Sequence, residues 1–327
     1  MLSKNEWDPL KKVIVGIADN AQIPKDDISL RLVNYADKDD SYIVKTGYYP
    51  QQVIDEANED LEKLVDALKK ENVEVCRPNS TVANNYYNYC PRDSVLVYDD
   101  LILATPQPLR ARQNEYISMD SIFTSYNNVR YVKKNAKKLD SLYNKNCIGN
   151  KDILALNETE PCFDAANIIR DNDNLYYLVS NSGNEAGADY LQELVGSNKK
   201  VYKIKGIYAY MHIDSTITLL REGLMLLNPS RVKSLEQLPK PLQSWDVIWC
   251  PTPQFEYHYP QYCHASVWIN VNLLSINPNL VVIHENETNL RKELNKHNID
   301  CVMLPGRHQR TLGGGFHCVT LDLERKH

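Results

Sequence analysis

Near the C-terminus of this 327-residue chain, Thr311-Leu312-Gly313-Gly314-Gly315-Phe316-His317-Cys318 brings three consecutive glycines to a single cysteine. Glycine lets main chain pass close to a ligand and take angles that other residues avoid. A phosphate-binding loop would continue with Lys-Ser/Thr, but Phe316-His317-Cys318 stands there instead. We read Cys318 as a nucleophile. The plainer alternative is a glycine-rich turn before a final strand, Cys318 to Glu324, with a thiol that is merely buried.

A nucleophilic cysteine needs a base and a group that orients the base, usually remote in sequence. Met211-His212-Ile213-Asp214-Ser215-Thr216 offers both. Its β-branched run predicts a strand with His212 and Asp214 on one side. Two further carboxylates precede apolar runs: Asp93 in Cys90-Pro91-Arg92-Asp93-Ser94 and Asp164 in Glu160-Pro161-Cys162-Phe163-Asp164-Ala165-Ala166. Each acid falls at the mouth of a predicted strand, where a turn or capping role is the alternative.

The elements that must position these residues recur as one unit. Ile168-Ile169, the turn at 171–174 and Leu175 to Val179 predict a hairpin. A helix from Ala188 to Val195 and a strand from Lys200 to Ile204 follow, which gives β-β-α-β. The order returns with Leu273 to Ile276, Leu280 to Ile283, a helix near Glu287 to His297, and Cys301 to Leu304. Asp93 to Ala104 predicts another hairpin. Val53, Ala57, Leu61, Leu64, Val65 and Leu68 keep helical spacing ahead of a strand at Val73 to Cys76. Repeated units of this kind predict a closed array of similar modules.

Composition narrows the function class. With 37 basic against 42 acidic residues and a net charge of −5, the chain has no basic field for nucleic acid. The N-terminus lacks an apolar core of the signal-peptide kind, and no segment reaches the roughly 18 apolar residues that span a bilayer, so a cytoplasmic protein without membrane partners is expected. The eight cysteines are scattered, which predicts reduced thiols. Cys250, His258, Cys263 and His264 form the tightest metal-like grouping, but without a Cys-x-x-Cys knuckle they are read as loop and core residues. Tyrosine, at 21 residues against 4 phenylalanines, is expected at core edges and pocket walls. No linker interrupts the chain, so 1–327 is expected to be one catalytic domain.

Six segments together resemble the arginine amidinotransferases, the family of glycine amidinotransferase and of enzymes that amidinate inosamines or toxin precursors. They are Asn5-Glu6-Trp7-Asp8-Pro9-Leu10 with Val13-Ile14-Val15-Gly16, Pro91-Arg92-Asp93, Glu160 to Ala166, Met211 to Asp214, Asn228-Pro229 with Arg231, and Leu312 to Cys318. They occur in the family's order across almost the whole chain. The resemblance implies the pentein fold, an α/β propeller of five ββαβ modules with its site on the central axis. It implies Cys318 as nucleophile, His212 as general acid/base, and Asp164 as the acid that orients the histidine. Asp93 and Asp214 would grip the guanidinium and Arg231 the donor's α-carboxylate. A planar guanidinium with forked donors is well suited to carboxylate grips. The implied reaction is ping-pong transfer of the amidino group of L-arginine to a primary amine, through an amidino-cysteine, with ornithine released. It calls for no metal or organic cofactor, and a homodimer is compatible with it.

Two departures fall on the acceptor side. Ala209-Tyr210-Met211 replaces the Asn-Pro-Met that precedes the histidine in glycine amidinotransferase, and Asn270 in Trp268-Ile269-Asn270-Val271-Asn272 replaces its serine. An acceptor larger than glycine is therefore expected. Two other readings stand beside this one. Water in place of the amine would give a guanidine-modifying hydrolase of the arginine deiminase kind, and the same scaffold without chemistry would give a binding protein.

Overall fold

A computed structural model describes residues 2–38, 41–82, 86–131, 140–150, 152–254 and 265–326. Five three-stranded sheets follow one another among the described residues, and all share one wiring. In each, the middle strand pairs antiparallel with one neighbour and parallel with the other. Tight antiparallel pairs need only a short turn, whereas the parallel partner needs a crossover. The middle strands are Leu10–Val15, Leu101–Ala104, Asn174–Leu178, Leu224–Leu227 and Leu280–His284.

Turn chemistry explains the hairpins. Asp99, Asn172 and Gly223 adopt positive φ between paired strands, at 56°, 52° and 78°. Asn, Asp and Gly tolerate that region at least cost, and it matches the twist of a two-residue hairpin. The crossovers differ by module. Gln51–Lys70, Glu185–Val195 and Thr288–Lys296 are α-helices, while the fourth module crosses over through the 3-10 turns Leu235–Gln237 and Lys240–Ser244. Helix Gln51–Lys70 buries the apolar stripe anticipated from Val53 to Leu68 and places Lys69 and Lys70 in its last turn, where cations suit the helix dipole. Asn184 caps helix Glu185–Val195 by accepting a hydrogen bond from the Gly187 amide at 2.9 Å.

The first sheet closes the ring of modules. Its antiparallel partner comes from the other end of the chain: Thr320–Arg325 pairs with Leu10–Val15, Val13 lying opposite Asp322. The strand that follows Cys318 and the N-terminal strand are thereby joined in one sheet. The closed array expected from the repeats is present, with the five modules that the resemblance implies.

Two local expectations fail. Residues 211–216 form no strand; the strand begins at Ile217, and His212 sits at φ 63°. Tertiary bonds override the β-branched propensity here. The Ile213 amide donates to Ala166 O at 3.0 Å, and Thr216 N turns back to Ile213 O at 2.7 Å. The final strand likewise starts at Thr320 rather than Cys318, because Val319 N bonds to Gly315 O at 3.0 Å and Thr320 N to His317 O at 3.1 Å in a turn. Of the metal-like grouping, His258, Cys263 and His264 lie outside the described residues, and Cys250 is buried. No helix among the described residues is long and apolar enough to cross a membrane.

Candidate active site

Strand mouths from different modules meet at the end of the glycine run. One ligand-bearing atom each from Asp93, His212 and Cys318 lies within 4.8 Å of the others. Asp93 arrives on the short helix Pro91–Ser94 just before strand Val95–Tyr98. Asp164 precedes the 3-10 turn Ala165–Asn167 without capping it; its Oδ2 instead lies 3.0 Å from His212 Nε2. Gln107 Nε2 donates to the other oxygen at 3.2 Å. Thus the orienting acid is itself oriented, and His212 Nδ1 is left facing Asp93 Oδ1 at 3.8 Å.

Asp214 stands on the far side of the sulfur. Its Oδ2 is 3.4 Å from Cys318 Sγ and 2.9 Å from His317 Nδ1. The second nitrogen of His317 meets Glu6 Oε2 at 3.2 Å. Glu6 then leads into a buried ion network in which Arg170 contacts both Glu6, at 2.7 Å, and Asp322, at 2.8 Å, while Arg92 and Arg325 also bind Asp322. The Asn-Glu-Trp-Asp start and the Phe-His-Cys end of the sequence are therefore physically one structure.

The charges around the sulfur set its chemistry. Contact with Cys90, burial and the Asp214 charge push the Cys318 thiol well above the ordinary cysteine range, against a lowering contact with His212. Burial opposes the charged form of His212, but Asp93 and Asp164 outweigh it and raise that ring well above the usual histidine range. Burial raises Asp93, whereas the His317 contact overcomes burial and lowers Asp214. Asp93 Oδ2 accepts from Arg112 Nη1 at 2.7 Å, while its buried Oδ1 makes no hydrogen bond. A buried carboxylate oxygen in that state favours a cationic ligand with N–H groups.

A cavity of about 910 Å³ opens above these residues. Met211, His212, Asp214, Asn272 and Cys318 form its floor, and Arg231 and Ser266 its wall. Arg231 Nη1 is locked by Ser215 Oγ at 2.7 Å and Thr216 Oγ1 at 2.8 Å, with its guanidinium carbon 3.5 Å from the Tyr208 ring centroid. The rim carries Tyr35, Tyr42 and Tyr210 together with Lys38, Lys45 and Arg310, against one acid, Asp37, which pairs with Lys38 at 2.9 Å. Tyrosine as pocket lining was anticipated; the cationic rim was not.

Asp93, Asp164, His212, Asp214 and Cys318 thus converge; of these His212, Asp214 and Cys318 line the cavity, together with Arg231 and Met211. Ala209 and Asn270 do not join them. Ala209 lines a separate cavity of about 100 Å³ with Cys147 and Asn181, and its carbonyl accepts from Asn181 N at 2.8 Å. Asn270 is buried and donates to Glu287 Oε2 at 3.3 Å. The residue of that segment that reaches the sulfur is Asn272, two positions on, with Nδ2 3.1 Å from Cys318 Sγ. In the 3-10 turn Val267–Val271 side chains do not alternate as in a strand, so sequence spacing gave no way to choose between the two asparagines. Arg112 was also missed, since Leu109-Arg110-Ala111-Arg112 carries no motif. Glu6, Arg92 and His317 were visible only as letters of motifs.

No family model matches the chain. Individual relatives do. The chain is 41% identical to inosamine-phosphate amidinotransferase 1 of Streptomyces glaucescens, over 98% of this chain and 95% of the relative. It is 31% identical to the mitochondrial glycine amidinotransferase of Gallus gallus, over 99% of this chain and 82% of that one. Among solved structures, the inosamine-phosphate amidinotransferase of Streptomyces griseus superposes with a TM-score of 0.90 at 38% identity, covering 100% and 97% of the two chains. A dimethylarginine dimethylaminohydrolase from Pseudomonas aeruginosa reaches a TM-score of 0.60 at 14% identity, covering 96% and 99%, a likeness of the pentein fold alone.

Proposed function

The chain belongs to the amidinotransferase family, and from that premise we propose that Cys318 carries the amidino group of L-arginine to a primary amine larger than glycine. The observation that carries this reading is the meeting of Asp93, His212 and Cys318 within 4.8 Å, with Asp164 behind the histidine. A guanidinium carbon held there has a sulfur on one face and a proton donor at its side.

In the empty site the thiol is protonated and His212 charged, given the directions of their shifts. Binding a guanidinium between Asp93 and Asp214 adds a positive charge beside the sulfur and favours loss of the thiol proton to solvent. The thiolate then bonds to the guanidinium carbon. The bond from that carbon to the side-chain nitrogen breaks as His212 supplies a proton, and ornithine leaves as an amine. An amidinium remains on Cys318. The incoming amine gives its proton to His212, bonds to the same carbon, and releases the thiolate. Arg231, beneath its Tyr208 ring, binds the α-carboxylate of the donor.

Size and rim charge support the acceptor reading. A cavity of about 910 Å³ far exceeds what glycine fills, and Lys38, Lys45 and Arg310 suit an acceptor that carries an anionic group. An inosamine phosphate, the compound printed in the names of the relatives at 41% and 40% identity, is an aminocyclitol phosphate and has both properties.

Incubating the protein with arginine, with and without a panel of amines, tests the reading. Ornithine should appear only in step with a guanidino product, and Cys318→Ala should abolish both. Citrulline formation without any amine would identify a hydrolase. No turnover of arginine under any condition would leave the binding protein.

A further inference from the structure

We propose that Asn272 is a further catalytic residue, whose side-chain amide holds the Cys318 sulfur in position and stabilises its thiolate form. This rests on Cys318 being the nucleophile.

Asn272 makes two bonds to one residue. Its Oδ1 accepts from the Cys318 backbone N–H at 3.0 Å, and its Nδ2 stands 3.1 Å from Cys318 Sγ. The first bond fixes the assignment of the second. A backbone N–H can only donate, so the amide must turn its oxygen there, and the NH₂ group is left for the sulfur. An N–H aimed at sulfur favours the thiolate over the thiol.

Among the described residues, no other group at the sulfur plays this part independently of substrate. Asp214 lies 3.4 Å away as an acceptor, and both its charge and the neighbouring Cys90 oppose the thiolate. His212 must spend its proton on the leaving amine. Asn272 is neutral, 2% exposed, and keeps its donor through both half-reactions.

The backbone is built around this contact. The Asn272 carbonyl accepts from His317 N at 3.3 Å. A Cβ placed on Gly315 would lie 2.7 Å from Asn272 O and Oδ1, closer than real Cβ contacts occur. The third glycine of the run is therefore required by the approach of Asn272 to the nucleophile loop.

Two substitutions separate donation from bracing. Asn272→Asp keeps the shape and the acceptor for Cys318 N–H but has no N–H for the sulfur, while Asn272→Ala removes both. Iodoacetamide, a neutral reagent, reports thiolate as alkylation rate against pH. Its profile at Cys318 should move to higher pH in both variants, with formation of the amidino adduct slowed at least about tenfold at neutral pH, since a hydrogen bond to a charged group is being lost. Arginine binding to the variants in a Cys318→Ala background should change little. Wild-type alkylation profiles and adduct rates in both variants would overturn the proposal. Loss of arginine binding together with alkylation would also overturn it, by making Asn272 a structural brace. If the wild type forms no adduct on Cys318, the nucleophile assignment falls and this inference with it.

Discussion

His317 Nδ1 lies 2.9 Å from Asp214 Oδ2, so the residue preceding Cys318 holds the acid that flanks the Cys318 sulfur. The pairing keeps Asp214 ionised, because the His317 contact overcomes a burial penalty that would otherwise raise it. On the other side of the sulfur Asp93 is raised by burial. The two acids assigned to the donor thus enter the reaction in different electrostatic states.

The acids should matter through binding of the cation. Asp93→Asn and Asp214→Asn each remove a charge-assisted partner worth roughly 1.5–3 kcal/mol, so kcat/KM for arginine should fall at least about tenfold. His317→Asn should move donor use in the same direction as Asp214→Asn. Unchanged kcat/KM in the two aspartate variants would remove both acids from the clamp.

Arg231 should discriminate donors by their α-carboxylate. Arg231→Ala should weaken arginine far more than agmatine, which lacks that group, and the comparison of KM values decides it. Equal losses for the two donors would assign Arg231 another role.

The acceptor preference follows from cavity size and rim charge. With arginine fixed, glycine should show a lower specificity constant than bulkier primary amines, and an aminocyclitol phosphate should exceed its unphosphorylated form. Lys38→Ala with Lys45→Ala should erase that last difference. A panel in which glycine ranks first would refute the acceptor reading.

The pH dependence of activity has a definite sign. The thiol of the empty site is raised well above the ordinary cysteine range, so kcat/KM, which reports the free enzyme, should go on climbing above about pH 8.5, the ordinary cysteine value, as thiolate forms. Bound guanidinium lowers the thiol, so kcat should level off at lower pH than kcat/KM. A kcat/KM flat over that range would mean that thiolate already exists without substrate.

Stability should fail on the acid side through Asp322. Three arginines hold its buried carboxylate well below the usual range, after a burial penalty of opposite sign. A depressed folded value contributes stability that is complete above the unfolded value of about 3.9 and is lost as pH falls towards the folded one. Urea unfolding should therefore weaken progressively below about pH 4. Asp322→Asn, which leaves Arg92, Arg170 and Arg325 buried with one partner fewer, should cost roughly 3–5 kcal/mol at neutral pH. Wild-type stability in that variant would show the network to be dispensable.

The sequence by itself determined the modules, because hairpin turns at Asp99 and Asn172 and the helical stripe from Val53 to Leu68 are local physics. It also made Asp93, Asp164, His212, Asp214 and Cys318 stand out, since each lies beside a strand end in a motif. Only the tertiary structure decided how they are held. His212 takes a left-handed backbone angle where propensity predicts a strand, because bonds from Ala166 and Ser182, remote in sequence, fix the 212–213 amides. Arg112 reaches Asp93 across 19 positions, Glu6 reaches His317 across 311, and Asn272 rather than Asn270 reaches the sulfur. Such partners are chosen by ring closure and close packing, which bring together residues that no sequence period relates.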